Sequence, residues 1–513
     1  MSRRVMSLLV FCVCLTIVSA SHAQSPTFTN ETGTRVSGAG VSTDTSEKDF
    51  GVGDFDLDGD DDVVVGRRIG FNGNTGNPLP NFLLMNEAGV LTDMTAALAP
   101  QLSISQRTRD VLVDDFDNDG WPDVLVADGP SVLPLLLLNQ GESAGSWLGF
   151  ADASGMLPAG FNVDAWSAAS GDLANDGDDY PDVFVGVRNG NDRLLINLGD
   201  AGAGWLGFSD GSTRLGANAS TNAVRSVTIV DMNADGDDDI IEGITGGGPL
   251  RMLPNNGAGM FNGTSQTFAS SSTYNHALGD LDSDGDLDIF AVQNGLDQYR
   301  LNNGPAAGET ISLGALTSAP GTNGFGAICR VADIDGNGFD DFLVTDLDQE
   351  FPQDCSRRLK FLLNDGVGPA FLFDGYPGVV GWAPNGTSDV VPMDIDGDLD
   401  LDLLIGHCSG NSVWTQDGTG IVLPNYTRGD VNDDGAVDVA DPISLLGFLF
   451  SGGLAPGCED AADGNDDGDL NVADGITILN FLFVGSGPLP DPTACDVDPT
   501  DDMLDCADSA SCL

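Results

Sequence analysis

The residues best placed to do chemistry in this chain are aspartates, and their spacing says more than their number. Asp54, Asp56, Asp58 and Asp62 stand at positions one, three, five and nine of a loop whose sixth residue is Gly59. A tight turn points alternate side chains inward, glycine permits the positive φ, and a backbone carbonyl at position seven can complete the set. Such an oxygen cage suits a hard cation such as Ca2+. The phrase returns at Asp115, Asp117, Asp119 and Asp123; at Asp172 and Asp176; at Asp231, Asn233, Asp235 and Asp239; at Asp280, Asp282, Asp284 and Asp288; at Asp333, Asp335, Asn337 and Asp341; and at Asp394, Asp396, Asp398 and Asp402. One Asp/Gly turn is an ordinary solvated loop. Seven copies in register predict several bound calcium ions. Two copies depart from the pattern. In the third, Ala174 takes position three and the last carboxylate is delayed to Asp182; in the seventh, Leu399 takes the glycine position. The third site is expected to be the weakest.

The elements that position these loops are short strands. Successive copies begin 61, 57, 59, 49, 53 and 61 residues apart, so each is one structural unit. An apolar strand enters each loop and another leaves it, as Val63 to Val65 does. A third follows, such as Asn81 to Met85, and a fourth, such as Val90 to Met94, with glycine and asparagine between them. Four strands repeated seven times predict an all-β fold, a seven-bladed β-propeller over residues 27–425. The N-terminal stretch Thr27 to Thr32 is expected to complete the seventh blade, with Ile421 to Tyr426 as the alternative. These repeats resemble the FG-GAP or VCBS repeats of the integrin α-subunit propeller family. The resemblance implies calcium between the first and second strands of each blade, opposite the usual ligand face, and hence a structural metal.

After Thr427 the pattern changes to two twelve-residue loops, each followed by an apolar helix, offset by 33 residues. The first carries Asp430, Asn432, Asp434, Asp438 and Asp441, and the second Asp463, Asn465, Asp467, Asn471 and Asp474. Ligands at positions 1, 3, 5, 9 and 12 with glycine at 6 match an EF-hand loop whose closing residue is Asp instead of Glu. A loop and helix without an entering helix, duplicated once, resembles the type I dockerin family over residues 428–485. The resemblance implies a small α-helical calcium module and a cohesin-like partner. The departure lies at loop positions 10 and 11, where Val439-Ala440 and Val472-Ala473 replace the hydroxyl residues often found there. A self-contained calcium-stabilised cap is the alternative. Arg428-Gly429-Asp430 spells an integrin-recognised tripeptide, but Asp430 is already the first calcium ligand of its loop.

The chain carries 79 acidic and 19 basic residues, a formal net charge of −60. That repels polyanions, so nucleic acid and anionic membranes are not expected partners. Hydrophobic residues make up 41% of the chain, which indicates a folded protein whose acid is locally neutralised. Residues 1–23, with Arg3 and Arg4 before an apolar run and Ser21-His22-Ala23 after it, read as a signal peptide; the run is too short for a membrane span. A secreted or cell-surface location follows. Seven cysteines lie beyond residue 23, an odd number whose pairing is open, and Cys408 is expected to be a buried free thiol. Residues 486–513 read as an Asp/Pro/Cys-rich tail.

Function follows from what remains. Propeller, calcium module and tail account for the recognisable sequence, which predicts an extracellular binding or scaffold protein for a glycan or protein ligand, with no catalytic residues assigned. The alternative is a hydrolase or lyase of polysaccharide breakdown, and adhesion by analogy with integrins is a third reading. Six residues before the first aspartate of each blade stand Lys48, Arg109, Trp166, Arg225, Tyr274, Ala327 and Ser388. If the strand entering each loop is innermost, they ring the channel mouth away from the metals. Its cations and aromatics predict an acidic or stacking ligand.

Overall fold

The computed structural model describes residues 26–490, leaving out 39, 69–78, 105–106, 130–133, 179, 201, 203, 270–271, 283, 307–309, 320–323, 326–327, 348–356, 365–371, 375–385, 417–426, 433–434, 452–455, 457, 467–469 and 484–488. The expected signal peptide, nearly all of the tail, the alternative strand Ile421 to Tyr426, and Asp434, Asp467 and Ala327 lie outside the described residues. The chain is mainly β and forms a seven-bladed propeller. First strands run over Glu47–Gly53, Thr108–Asp114, Ala165–Gly171, Val224–Val230, Thr273–Gly279, Cys329–Ala332 and Asp389–Met393, and each aspartate loop joins one of them to the second strand of its blade. The strand Phe28–Asn30 pairs antiparallel with Gly410–Gln416 and so supplies the fourth strand of blade seven, as the sequence predicted.

The chain divides into two compact units: residues 1–26, 164–197 and 208–386, and residues 27–163, 198–207 and 387–513. Within each unit the first strand of one blade packs against the first strand of the next, which makes it the innermost. Second strands read as unbroken apolar runs because both faces are covered. Val63 and Val65 join the cluster formed with Phe50, Leu84, Val391 and Leu404, whereas Val64 turns the other way to Phe55, Leu83, Val111 and Leu137. At one register of the second strand the neighbouring blade comes so close that only glycine fits. A Cβ on Gly66 would lie 2.8 Å from Val111, and one on Gly186 would lie 2.7 Å from Val224.

One hydrogen-bond pattern repeats through the blades. The last carboxylate of the loop, at position nine in six copies and at position eleven (Asp182) in the third, is buried in every copy. Its Oδ1 accepts the backbone N–H of a residue at the end of the third strand: Asn86, Asn139, Asn197, Asn255, Asn302, Asn364 and Gln416, at 2.6–2.9 Å. In five copies its Oδ2 accepts the amide of loop position two, as Phe55 donates to Asp62 and Phe116 to Asp123, and in the third copy it accepts that of Ala174 at position three. The third-strand asparagine then reaches into the blade before it. Nδ2 of Asn139 donates to the carbonyl of Phe55 at 2.8 Å, and Asn86, Asn255, Asn302 and Asn364 do the same to Ile395, Leu173, Met232 and Leu281.

Two twelve-residue helices, Ala440–Ser451 and Val472–Phe483, pack together after the last blade, with Val431, Leu445, Ala462 and Ile478 buried between them and their loops. The cysteines correct one expectation. Cys408 is disulfide-bonded, as is Cys458. It sits half-buried in the turn between the second and third strands of blade seven, where a sulfur can reach a partner. Among the described residues the buried free thiol is Cys329, on the innermost strand of blade six among Phe290, Phe342 and Leu362.

The repeated carboxylate predicts an unequal response to substitution. Asp123→Ala leaves two buried amides without an acceptor, at about 1–3 kcal/mol each, so about 2–6 kcal/mol is lost. Asp119→Ala, in the exposed part of the same loop, costs about 0.5 kcal/mol in chelator. Urea denaturation in EDTA measures both, and equal losses would refute the assignment.

Candidate metal centres

Each loop is built from its own backbone outward. The carboxylate at position one accepts the amides of positions five and six, as Asp54 does from Asp58 and Gly59 at 3.1 and 3.0 Å. Asp115, Asp231, Asp280 and Asp333 repeat this, which curls the loop around the inward side chains. The residue at position five accepts the amide of position seven, through Asp58, Asp119, Asp235, Asp284, Asn337 and Asp398. Position six takes a positive φ even in the seventh copy, where Leu399 adopts +70°.

Five groups of carboxylates thereby converge, with one oxygen from each member within 4.8 Å of the others. They are Asp54, Asp56 and Asp58; Asp115, Asp117 and Asp123; Asp280, Asp282 and Asp288; Asp333, Asp335 and Asp341; and Asp394, Asp396 and Asp402. All five groups can hold a metal ion. The position-three carboxylates supply the test of fit. Asp56, Asp117, Asp282, Asp335 and Asp396 each keep a buried Oδ1 with no hydrogen-bond partner. A buried acceptor left unsatisfied is costly, and an ion at the centre of its cluster would satisfy it.

Electrostatics point the same way. Burial pushes the position-nine carboxyls up, to about 8 at Asp62, Asp123 and Asp341 and to about 7 at Asp182, Asp239, Asp288 and Asp402. Burial, and then the neighbouring carboxylates, push Asp56, Asp117 and Asp335 to about 6. A cation is the means of keeping such groups ionised.

The other two blades differ. In blade four, Asn233 is buried and its Oδ1 accepts the amide of Asp235, beside Asp231 and Asp239. In blade three, Ala174 is buried where five other blades place a carboxylate and blade four an asparagine, and Asp176 is exposed near Asp172. Asn175 closes this loop by donating from Nδ2 to Oδ1 of Asp237 and to the carbonyl of Gly257, at 2.5 and 3.1 Å. A side-chain amide clips the third loop to the fourth.

In the C-terminal module Asp430, Asp441, Asp463 and Asp474 are buried. Asp430 accepts the amide of Gly435, Asp441 those of Asn432 and Asp438, Asp463 those of Asn465 and Asp466, and Asp474 that of Asn471. Arg428, also buried, donates to the carbonyl of Asp463 at 2.8 Å and pairs with Asp466 at 2.7 Å, tying the first loop to the second. The tripeptide Arg428-Gly429-Asp430 is thus part of the module's interior.

The predicted channel ring divides. Lys48 is fully buried, and its ammonium donates to the carbonyls of Asp44, His407 and Gly410; this departs from a ligand-facing rim. The turn at Asp44 lies over the strand start, its carbonyl accepting from the Lys48 ammonium and its carboxylate pairing with Arg67. Ser388 is buried as well, bonded to the amide of Lys48 and the carbonyl of Gly406. Arg109 is half-buried in the same unit. Trp166, Arg225 and Tyr274, in the other unit, do come together. The Arg225 guanidinium lies 5.8 Å from the Trp166 ring centre and 5.4 Å from that of Tyr274. Arg188, which the sequence reading missed because it lies just past the second strand and outside the register compared, stands 4.9 Å over Trp166. The third-strand asparagines were also missed, although six copies of an apolar residue or proline followed by asparagine were there to be read.

Two outcomes are expected of the loops. In EDTA the melting temperature should fall as pH rises from about 4 to about 8. The folded carboxyls hold protons that the unfolded chain, with ordinary values near 3.8, has released, so their contribution is complete below about 4 and lost above about 8. Rising stability over that interval would contradict it. Leu399→Gly should raise stability by about 1 kcal/mol by relieving a left-handed backbone, read from the same melts.

Residues 54–126 and 280–344 match the FG-GAP-like repeat family. No curated protein matches the chain. Among solved structures it is similar to BBS1N, in a crystal structure of its complex with ARL6DN soaked with mercury, at 10% identity and a TM-score of 0.42, over 74% of this chain and 96% of that one. It is also similar to an Agrocybe aegerita lectin, in a structure described as the basis of specific recognition of non-reducing terminal N-acetylglucosamine. That match has 19% identity and a TM-score of 0.41, over 73% of this chain and 91% of the lectin.

Proposed function

We propose that the chain is a secreted, calcium-stabilised propeller that acts as an extracellular binding or scaffold protein for a glycan or protein ligand. The observation that carries this reading is the buried, unpartnered oxygen at loop position three of five blades, each beside two further carboxylates. Hard oxygen ligands without nitrogen or sulfur favour Ca2+ among biological cations, and the millimolar calcium outside cells suits sites of this kind. The ions hold the frame. The carboxylates at positions one and five that would bind the ion also accept the loop's own amides, as Asp54 and Asp58 do, which supports a structural role for the metal. Among the described residues, no helix is long and apolar enough to cross a membrane.

The C-terminal loops and helices are read as a dockerin-like calcium module that attaches the propeller to a partner of the cohesin kind. Ile443 and Phe450 on the first helix and Ile476 and Phe483 on the second are exposed at matching positions, which supports a contact surface.

Thermal melts in EDTA and in millimolar calcium test the proposal. At free calcium about tenfold above the dissociation constant each site adds about 1.4 kcal/mol, so five centres add about 7 kcal/mol, comparable with a typical total of about 5–15 kcal/mol. A large upward shift of the melting temperature in calcium, absent in magnesium, is expected. Coincident melts would defeat the calcium reading.

A further inference from the structure

The metal loop of blade seven has a cation built in beside it. Asp394, Asp396 and Asp402 converge there, and Arg35 donates from Nη2 to Oδ2 of Asp396 at 2.8 Å. Of the five carboxylates at loop position three, Asp396 is the one that an arginine holds among the described residues. Its Oδ1 is nevertheless buried without a hydrogen-bond partner, the state it shares with Asp56, Asp117, Asp282 and Asp335. Arg35 therefore fixes one oxygen of the carboxylate and leaves the other to the cluster.

Arg35 comes from the segment that completes blade seven. Phe28–Asn30 pairs with the third strand of that blade, the short helix Thr32–Arg35 follows, and Val36–Ser37 then runs parallel to the fourth strand of blade one, Leu91–Asp93. At this junction the guanidinium has three acceptors: Nε donates to Glu31 at 2.8 Å, Nη1 to the carbonyl of Gly89 at 3.1 Å, and Nη2 to Asp396. The segment meets the centre a second time, since Phe28 stands opposite Gln416, whose amide donates to Oδ1 of Asp402 at 2.9 Å.

Blade three supplies the comparison. The turn after its fourth strand also carries an arginine, and Arg214 donates from Nη1 to the carbonyl of Gly259 at 3.4 Å as Arg35 does to Gly89. Position three of that loop is Ala174, so it offers no carboxylate to hold. In blades one and two, Leu98 and Met156 lie against the corresponding glycines, Gly149 and Gly207. An apolar residue suffices for packing there, and the ion pair to the loop is what Arg35 adds.

A carboxylate that ligates a metal is oriented by the hydrogen bond to its other oxygen, and loss of such a partner costs about 10–100-fold in metal affinity. The charge of Arg35 opposes a second cation, but Glu31 stands against the guanidinium at 2.8 Å and offsets it. Orientation is then the larger effect. Coupling of this kind is reciprocal, so whatever the segment adds to metal affinity, the metal adds to the hold on the segment. We propose that Arg35 is a positioning residue for the seventh metal centre, fixing Asp396 for a calcium ion and thereby making the hold on the N-terminal segment calcium-dependent. The inference rests on the calcium reading above and deepens it.

The test uses the full chain with two readouts: calcium titration calorimetry, and hydrogen–deuterium exchange of residues 27–36 in EDTA and in saturating calcium. The binding step that Asp396→Asn removes should be about tenfold weaker in Arg35→Gln, with Arg35→Lys between the two. In the Asp396→Asn background, Arg35→Gln should change calcium binding no further. Calcium should slow exchange of the segment in the native chain, and Asp396→Asn and Arg35→Gln should each lose about tenfold of that slowing. Asp282→Asn, in the loop of blade five, and Arg214→Gln should keep it. A tighter seventh step in Arg35→Gln would make the arginine a competitor of the metal and overturn the proposal. Slowing that survives both Asp396→Asn and Arg35→Gln would overturn it too. Coincident melts of the native chain in calcium and EDTA would instead remove the calcium reading, and this inference with it.

Discussion

The buried carboxylate at loop position nine is the interaction on which the blades depend. Asp123 shows its reach: one oxygen takes the amide of Phe116 at the start of the loop, and the other takes the amide of Asn139 at the far end of the third strand. Asn139 then spends its own side chain on the carbonyls of Phe55 and Pro122, the amide of Gly141 and the indole N–H of Trp147. Loop, sheet and neighbouring blade are joined through two residues. The same carboxyl belongs to the metal group of Asp115 and Asp117, so whatever sets its charge acts on the frame directly.

That coupling explains why so acidic a chain folds. Carboxylates gathered in pockets are destabilising when ionised and alone, and burial raises their affinity for protons accordingly. Backbone amides answer part of the charge, and a cation held by the clusters would answer the rest. Blade three shows the alternative: Ala174 removes one carboxylate from the cluster, and Asn175 supplies an amide bridge to Asp237 where other loops gather three carboxylates. A donor there takes over part of the role that an ion would have in the other loops.

The two ends of the innermost strands divide the work. At one end polar side chains face the loops; at the other, cations and rings of unit-internal neighbours stack. Between them the strands are sewn together by polar residues of one register. Asp49 accepts the amide of Val111, Asp389 that of Phe50, and Asn275 that of Cys329. These bonds occupy the position between the loop and the rim, so chemistry at either end leaves the packing of the strands intact.

The sequence by itself determined the repeat, the strand pairs around each loop, the aspartates that converge in it and the swap of the N-terminal strand into blade seven. These are legible because they are local: a spacing of alternate oxygens, a glycine at the turn, an apolar run on each side. Tertiary structure alone decided which polar side chains face inward. Lys48 and Arg225 share a register in the repeat, yet the Asp44 turn folds over one and buries it, while the other lies between two rings contributed by adjacent blades. The same holds for Cys408 and Cys329, since a thiol's fate depends on what stands across from it in space. Arg428, which looked like part of a recognition tripeptide, closes a loop 35 residues away. Long-range neighbours set these outcomes, and a pattern read along the chain does not contain them.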